Sequence, residues 1–600
     1  MIDLRRFFPF LNWINEIKDP TVLRADVVAG VTVSLVLIPQ SMAYAQLAGL
    51  PAYFGLYISF MPVLVAALWG SSRQLATGPV AVVSLMTATA LATVVGGTAL
   101  SNPELAARYI PLAMFLSLMV GCFQFLLGVF RLGVVVNFLS HPVIVGFTNA
   151  AAIVIGLSQL SKIFGVVMPG SASDHFLSVR IWGVIQQLGD THIATLLMGL
   201  SAFAIMALLK KYYPRSPSVL VAVVFTTLTS WLIGYKEKLG GSVVGEIPAG
   251  LPDIIAPVVD LSLVATLLPS AIIIALVGFM EAISIAKAMA AKTKDRIDPN
   301  KELIGQGLGN IVGSFTQAYP SSGSFSRSAV NLNAGARTGF SSVVTAAVVV
   351  LTLLFLTPLL YHLPTAALAA VIMLAVFGLI SISAMKHAWR ANTHDGIAAV
   401  VTFVATLGFA PHLDKGIMIG AVLSIVLYLY RTMRPRVALL GRYKDGTLRD
   451  LRVHPDLPSD DKVVAIRFDG TLYFANVSFF EDAILKVVSQ KPDVKFILVV
   501  GDAINQIDAS GEDVLHHVVQ RLKDSGITMV FSGFKKQILD VMKRTGLYEQ
   551  IGEQNIHATS DLALNAIYQK LELLKDKDAK EELYCPLYPD FIAEGYKRID

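Results

Sequence analysis

Apolar residues fill the first two thirds of the chain in blocks separated by short polar breaks. The blocks lie near 27–47, 55–69, 79–95, 110–130, 138–160, 193–210, 218–235, 264–290, 302–315, 325–334, 340–357, 365–380, 396–411 and 416–431. A helix needs about 20 apolar residues to cross ~30 Å of hydrocarbon. The pattern therefore predicts about fourteen membrane segments, several too short to cross as straight helices. Those are expected to be half-helices or helices buried by their neighbours. Beyond residue 431 the pattern changes to alternating strand and helix. Strands are expected at 462–468, 472–474, 494–500 and 527–532, and helices at 508–523, 535–544 and 558–574. Such alternation gives a small sheet covered by helices. The chain thus reads as an N-terminal segment (1–24), an all-α polytopic membrane domain (25–435), a soluble α/β domain (436–575) and a tail (576–600).

Composition supports this division. The chain has 600 residues, 54% hydrophobic and 15% charged, against about 25% charged in soluble domains. The deficit is confined to residues 25–430, which points to the lipid bilayer as solvent for that part. A net charge of +5 is small for this length, and no compact basic, aromatic-laced patch appears. Nothing therefore indicates a nucleic-acid partner. Cys122 and Cys585 make neither a disulfide framework nor a metal site. Residues 1–20 are amphipathic and lack the order of a signal peptide, so the first span is expected to insert uncleaved. Lys and Arg favour one set of loops roughly two to one. Arg5, Arg6, Arg431, Arg434 and Arg436 agree, placing both termini in the cytoplasm of a multi-pass protein of the cell membrane, an inner membrane in a bacterium.

Two segments carry unusual punctuation. One reads Gly70-Ser71-Ser72-Arg73-Gln74-Leu75-Ala76-Thr77-Gly78-Pro79-Val80-Ala81-Val82, the other Tyr319-Pro320-Ser321-Ser322-Gly323-Ser324-Phe325-Ser326-Arg327-Ser328. Each sets Gly, Pro and small hydroxyl residues before a short helix, and Pro79 suits a first helical position. They are the third and tenth segments, matching places in two seven-segment halves. Short, Gly/Pro-interrupted segments at matching positions mark transporter binding sites. With the second half inverted, two helix N-termini can face each other, each presenting free N–H groups and about +0.5 of an elementary charge. The alternative is a pair of ordinary capped loops at the membrane surface.

The sequence resembles the sulfate permease (SulP) anion-transporter family over nearly its whole length. Leu37-Ile38-Pro39-Gln40-Ser41-Met42-Ala43-Tyr44-Ala45, continuing into Leu47-Ala48-Gly49-Leu50-Pro51-Ala52-Tyr53-Phe54-Gly55-Leu56-Tyr57, is similar to the family's first-helix signature. Gly70-Ser71-Ser72-Arg73, Gly78-Pro79-Val80-Ala81, Gly278-Phe279-Met280-Glu281-Ala282-Ile283-Ser284-Ile285-Ala286-Lys287 and Asn300-Lys301-Glu302-Leu303-Ile304-Gly305-Gln306-Gly307 resemble later blocks. The resemblance implies two inverted seven-segment repeats arranged as core and gate domains, a C-terminal STAS domain, and homodimers. It also implies an anion held between the third and tenth half-helices and touching the first helix. Carried over by position, the substrate-binding residues are Gln40, Tyr44, Val80, Ala81, Phe325, Ser326 and Arg327.

The residues themselves suit that role. Arg327 is always charged, and a charge at bilayer depth faces protein or water and has a job. It adds positive potential beside an anion, or it pairs with a carboxylate. Ser326 can donate to an oxyanion or pack at a helix crossing. The Gln40 amide needs a partner inside an apolar run. Tyr44 lines the pocket or sits at the lipid interface. Glu281 is an intramembrane carboxylate, hence a functional candidate, with Arg327 as its expected partner. Two helix ends and one arginine sum to roughly +2, which balances a dianion such as sulfate. An ionised Glu281 lowers the sum to about +1 and protonation restores it.

These features predict proton-coupled symport of a small oxyanion, with Glu281 as the proton-coupling group; the alternative for Glu281 is a fixed structural ion pair. Bicarbonate, a C4-dicarboxylate or a halide remains open as substrate, and sodium as the coupling ion. So do a channel, an exchanger and a membrane sensor with the STAS domain as output. No nucleophile–base pair, phosphate loop or metal-ligand spacing points to an enzyme or a cofactor. In the soluble part, Asp508 and Ser510 are expected to cap a helix. In anti-sigma antagonists, which the STAS domain resembles, a serine in a similar turn is phosphorylated. His516 and His517 lie on different helix faces, which makes a shared metal improbable.

Overall fold

The structure, a computed structural model, describes residues 8–100, 103–133, 140–166, 177–213, 216–410, 412–573 and 586–587. Arg5, Arg6, Arg215, Cys585 and nearly all of the expected tail lie outside the described residues. The chain divides between Ser424 and Ile425 into two compact units.

The first unit contains α1 (Pro20–Leu47), α2 (Phe54–Tyr57), α3 (Met61–Trp69), α4 (Ala81–Val95), α5 (Pro103–Val129), α6 (His141–Ser158), α7 (Leu160–Phe164) and α8 (Leu177–Gln186). It continues with α9 (Ile193–Tyr212), α10 (Ser218–Ile233), α11 (Leu261–Thr293), α12 (Pro299–Phe315), α13 (Phe325–Asn333), α14 (Phe340–Leu351), α15 (Thr365–Phe377), α16 (Ile382–Ala391) and α17 (Thr393–Gly408). The last helix, α18 (Leu413–Met433), runs across the division. Among the described residues, eight helical stretches are long and apolar enough to cross a membrane, and four shorter ones are apolar over 10–17 residues. With α12 and α13 they account for the fourteen expected segments. The short amphipathic helices α8 and α16 were not legible, because neither reaches spanning length or hydrophobicity.

α12 lies against α5 and α3, α1 against α14, and α11 against α5. α17 packs on α6, α15 packs on α9 and α6, and α1 also touches α15 and α10. At 1.5 Å per residue α4 is about 22 Å long and α13 about 13 Å, so neither crosses the hydrocarbon alone. Each is preceded by a short strand, β1 (Ala76–Gly78) and β2 (Ser322–Ser324).

The second unit is an α/β domain with β3 (Arg436–Arg442), β4 (Leu448–Asp450), β5 (Val463–Asp469), α19 (Val477–Gln490), β6 (Phe496–Val500), α20 (Ala509–Asp524), β7 (Thr528–Ser532), α21 (Lys536–Thr545), α22 (Leu547–Ile551), β8 (Ile556–His557) and α23 (Ser560–Leu573). Strand order is β4-β3-β5-β6-β7-β8, parallel from β5 to β8. All five residues of β6 are buried, as a parallel strand covered on both faces requires. One face packs on α19–α22, the other on α23 and Leu587. The expected strand at 472–474 does not form; Leu472 makes only an isolated bridge to Ile507. The Asp508 side chain caps α20, accepting from Gly511 N at 2.8 Å and from Phe474 N at 2.9 Å. Ser510 lies inside the first turn. His516 pairs with Glu512 at 2.7 Å, one turn away on its own helix.

Candidate functional site

The two punctuated segments meet. β1 and β2 pair antiparallel, with Ala76 opposite Ser324, Thr77 opposite Gly323 and Gly78 opposite Ser322. β2 runs directly into α13 and β1 reaches α4 through Pro79 and Val80, so the antiparallel register sets the N-termini of α4 and α13 at opposite ends of a three-residue ladder about 7 Å long. The caps are Val80 and Ser324, both extended, and neither side chain caps its helix. The first N–H groups of each helix therefore lack the partner that Ser, Thr or Asp caps usually supply.

Arg327, the third residue of α13, is fully buried. Its two terminal nitrogens donate to Gln40 Oε1 at 3.2 Å and to Pro79 O at 2.9 Å. The second acceptor is the carbonyl just ahead of α4, so the guanidinium ties the two half-helix entrances and α1 together. Arg327 Nε is buried without a partner among the described residues, leaving one strong donor unused. Gln40 passes the contact on, donating through Nε2 to Tyr44 OH at 3.0 Å. The expected need of the Gln40 amide for a partner is thus met by protein groups. Val80, Ala81 and Tyr44 are buried beside this cluster, whereas Phe325 and Ser326 are exposed on the first turn of α13. Ser326 Oγ lies 3.3 Å from Ser324 Oγ.

Glu281 is half-buried on α11. The expected contact with Arg327 is not made: no ion pair within 4.0 Å joins them. The guanidinium turns instead toward α1 and the entrance to α4, where its terminal nitrogens donate to the uncharged Gln40 Oε1 and Pro79 O. α11 packs against β2 and α13, close to the seat. Ser322 Oγ donates to Gly278 O at 2.6 Å, one turn before Glu281.

Sequence reading missed other residues that hold the site. From α13, Ser328 Oγ accepts from Ala76 N at 2.8 Å and Asn331 Nδ2 donates to Gln74 O at 3.1 Å. Glu302, Gln306 and Asn310 of α12 contact both approaches. Their signal was spacing: polar residues four apart on one face of an otherwise apolar segment. Among the described residues no group of three or more His, Cys, Asp or Glu could hold a metal.

Comparison with known proteins agrees along the chain. The sequence model of the "Sulfate permease family" matches residues 23–402, and that of the "STAS domain" matches 454–563. "Sulfate transporter 4.1, chloroplastic" of Arabidopsis thaliana is 35% identical over 593 residues, covering 95% of this chain and 84% of that protein. "High affinity sulfate transporter 2" of Stylosanthes hamata is 33% identical, covering 93% and 86%. The fold is similar to that of the murine Solute Carrier 26 family member A9 anion transporter in its inward-facing state, with TM-score 0.85, 24% identity and 94% of each chain covered. The transmembrane domain of a cyanobacterial bicarbonate transporter, BicA, aligns with TM-score 0.56 and 22% identity over 67% of this chain and 97% of that one.

Proposed function

The chain belongs to the sulfate permease family, and from that premise we propose that it is a secondary active transporter of a small inorganic oxyanion, sulfate first, working by proton-coupled symport with alternating access. One observation carries the reading: a three-residue antiparallel bridge sets two helix N-termini without side-chain caps beside a buried arginine with a spare donor. The substrate-binding set is Gln40, Tyr44, Val80, Ala81, Phe325, Ser326 and Arg327. Two helix ends at about +0.5 each and one guanidinium make roughly +2, which matches a dianion. Relatives named as sulfate transporters, at 33–35% identity over most of the chain, support the same substrate. Glu281, with no ion pair of its own among the described residues, supplies the negative charge that a proton neutralises when the anion enters. Both termini are assigned to the cytoplasm from the Lys and Arg bias, and the homodimer rests on the family resemblance.

Uptake of radiolabelled sulfate by the purified protein in liposomes tests this. An inward proton gradient is expected to accelerate uptake, and competing bicarbonate, dicarboxylate and chloride to inhibit less than sulfate. Glu281→Gln should abolish the acceleration while sulfate still binds. Full pH dependence in that variant removes Glu281 from the mechanism. A sodium gradient that drives uptake replaces the proton, and absence of flux for every anion tested overturns the transporter reading.

A further inference from the structure

One face of α12 carries Glu302, Gln306 and Asn310 at successive intervals of four, and all three are buried. In a helix that spacing makes a single row. Glu302 Oε2 accepts from Ser71 N at 2.9 Å, Ser72 N at 3.0 Å and Ser71 Oγ at 3.1 Å, holding the turn that leads to β1. Gln306 Nε2 donates to Thr77 Oγ1, in the middle of β1, at 2.9 Å. Asn310 serves the other approach: its Oδ1 accepts from Ser321 N and Ser321 Oγ, both at 2.8 Å, just ahead of β2. Its Nδ2 donates to Gln124 Oε1 on α5 at 3.0 Å, and Gln124 Nε2 donates to Ala275 O on α11 at 3.1 Å. That chain of bonds fixes which way the Asn310 amide faces.

The close approach is built in. A Cβ at Gly305 would fall 2.6 Å from Gly70 N, so only glycine lets α12 lie against the turn. None of these side chains is in the proposed substrate-binding set. Yet both approaches, the turn before β1 and the residue before β2, are bonded to them. Burying polar groups in an apolar environment is costly unless they are bonded, and here the bonds run to the two entrances in sequence order along one helix.

We propose that the α12 row is the positioning device of the anion seat, with Glu302 and Gln306 setting the entrance to α4 and Asn310 the entrance to α13, so that these residues determine anion affinity without touching the anion. The inference rests on the anion-transport reading. Its test is equilibrium binding of radiolabelled sulfate to purified full-length protein, paired with KM and Vmax for uptake in liposomes. Asn310→Ala is expected to raise Kd and KM together by roughly tenfold, the scale of losing one to two net hydrogen bonds, with Vmax per folded molecule within about twofold of wild type. A role in stability alone would lower Vmax with the amount of folded protein and leave KM in place. Glu302→Gln keeps an oxygen for Ser71 and Ser72 and should bind as wild type does, whereas Glu302→Ala should not. If both Glu302 variants fail alike, the carboxylate acts by its charge and the positioning role is wrong. Should Asn310→Ala not fold, Gln306→Leu, which loses a single bond, carries the same test with a smaller factor. Wild-type protein that binds no sulfate overturns the anion reading and this inference together. Wild-type binding with unchanged affinity in folded Asn310→Ala or Gln306→Leu overturns this inference alone.

Discussion

Replacing Arg327 separates charge from geometry. In Arg327→Ala the seat loses a unit positive charge, and Gln40 Oε1 and Pro79 O lose their donor. At an effective dielectric of about 20 and a separation of about 5 Å, a unit charge contributes roughly 3 kcal/mol against another unit charge, and about twice that against a dianion. Phe325 and Ser326 leave the first turn of α13 exposed, and solvent screening at such a turn takes back about half. About 3 kcal/mol remains, which corresponds to roughly a hundredfold in Kd. Arg327→Lys keeps the charge but replaces a planar fork by a point donor. One of the two bonds is lost, at about 1 kcal/mol or five- to tenfold. The assay is sulfate binding to purified, monodisperse protein, with KM for uptake in liposomes beside it. Folded Arg327→Ala that binds sulfate within threefold of wild type refutes the electrostatic reasoning. Arg327→Lys as weak as Arg327→Ala would show that the fork, not the charge, is what the seat uses.

Three other outcomes follow from named contacts. Gly78 has φ +142°, and a Cβ there would lie 3.3 Å from Arg327 Nη2; Gly78→Ala, straining the backbone by about 1–3 kcal/mol, should cut sulfate affinity about tenfold or more, and wild-type binding would show that the entrance to α4 tolerates the shift. In the C-terminal domain the fully buried Arg442 donates to Leu587 O through Nε at 3.1 Å and Nη2 at 2.9 Å, and Leu587 is itself buried. Ending the chain at Leu573 exposes that apolar slot, losing about 1.5–3 kcal/mol of side-chain burial and leaving the buried Arg442 Nε–H unpaired. Hydrogen exchange at β3 in the intact membrane protein should speed up, and unchanged exchange would mean the contact contributes nothing. Burial also holds the His557 ring below the usual imidazole value of 6.5. The unfolded state therefore binds the proton first, and stability, complete above about pH 6.5, is lost as pH falls below it. His557→Gln should flatten the acid limb of a thermal-stability profile; an identical limb would place the sensitivity elsewhere.

Membrane segments are long, local features, and their number and order could be read from hydrophobicity alone. The half-helices were legible too, because Gly78-Pro79 and the Ser/Gly run at 321–324 break otherwise apolar blocks. Arg327 stood out as a charge where charge is costly. What stayed hidden depends on pairing across the chain. The bridge of β1 to β2 joins residues more than 240 positions apart through backbone groups that every residue carries, so no side-chain pattern announces it. The expected Glu281–Arg327 contact failed for the same reason: the guanidinium turns to a backbone acceptor, the Pro79 carbonyl, which no side-chain pattern marks. In the soluble domain, β3 is antiparallel and lies outside the parallel alternation, and Arg442 finds one of its acceptors 145 residues away.

In the proposed mechanism this preference for backbone acceptors has a consequence for coupling. An arginine locked to a carboxylate would be neutral overall and would offer an anion little attraction. Bonded to Gln40 and the Pro79 carbonyl, which carry no charge, Arg327 keeps its full positive charge while its geometry is fixed. An empty seat of roughly +2 in a low-dielectric layer is costly, and an unpaired, half-buried carboxylate on the neighbouring helix lowers that cost between turnovers. Entry of a dianion reverses the balance, because the carboxylate then repels the occupant, and taking up a proton removes the repulsion. In the proposed symport, coupling of one proton to one divalent anion rests on keeping the arginine and the glutamate unbonded. A variant that brings them into contact, such as Gln40→Ala freeing one guanidinium nitrogen, should weaken sulfate binding and flatten its pH dependence together. Loss of one without the other would separate attraction from coupling.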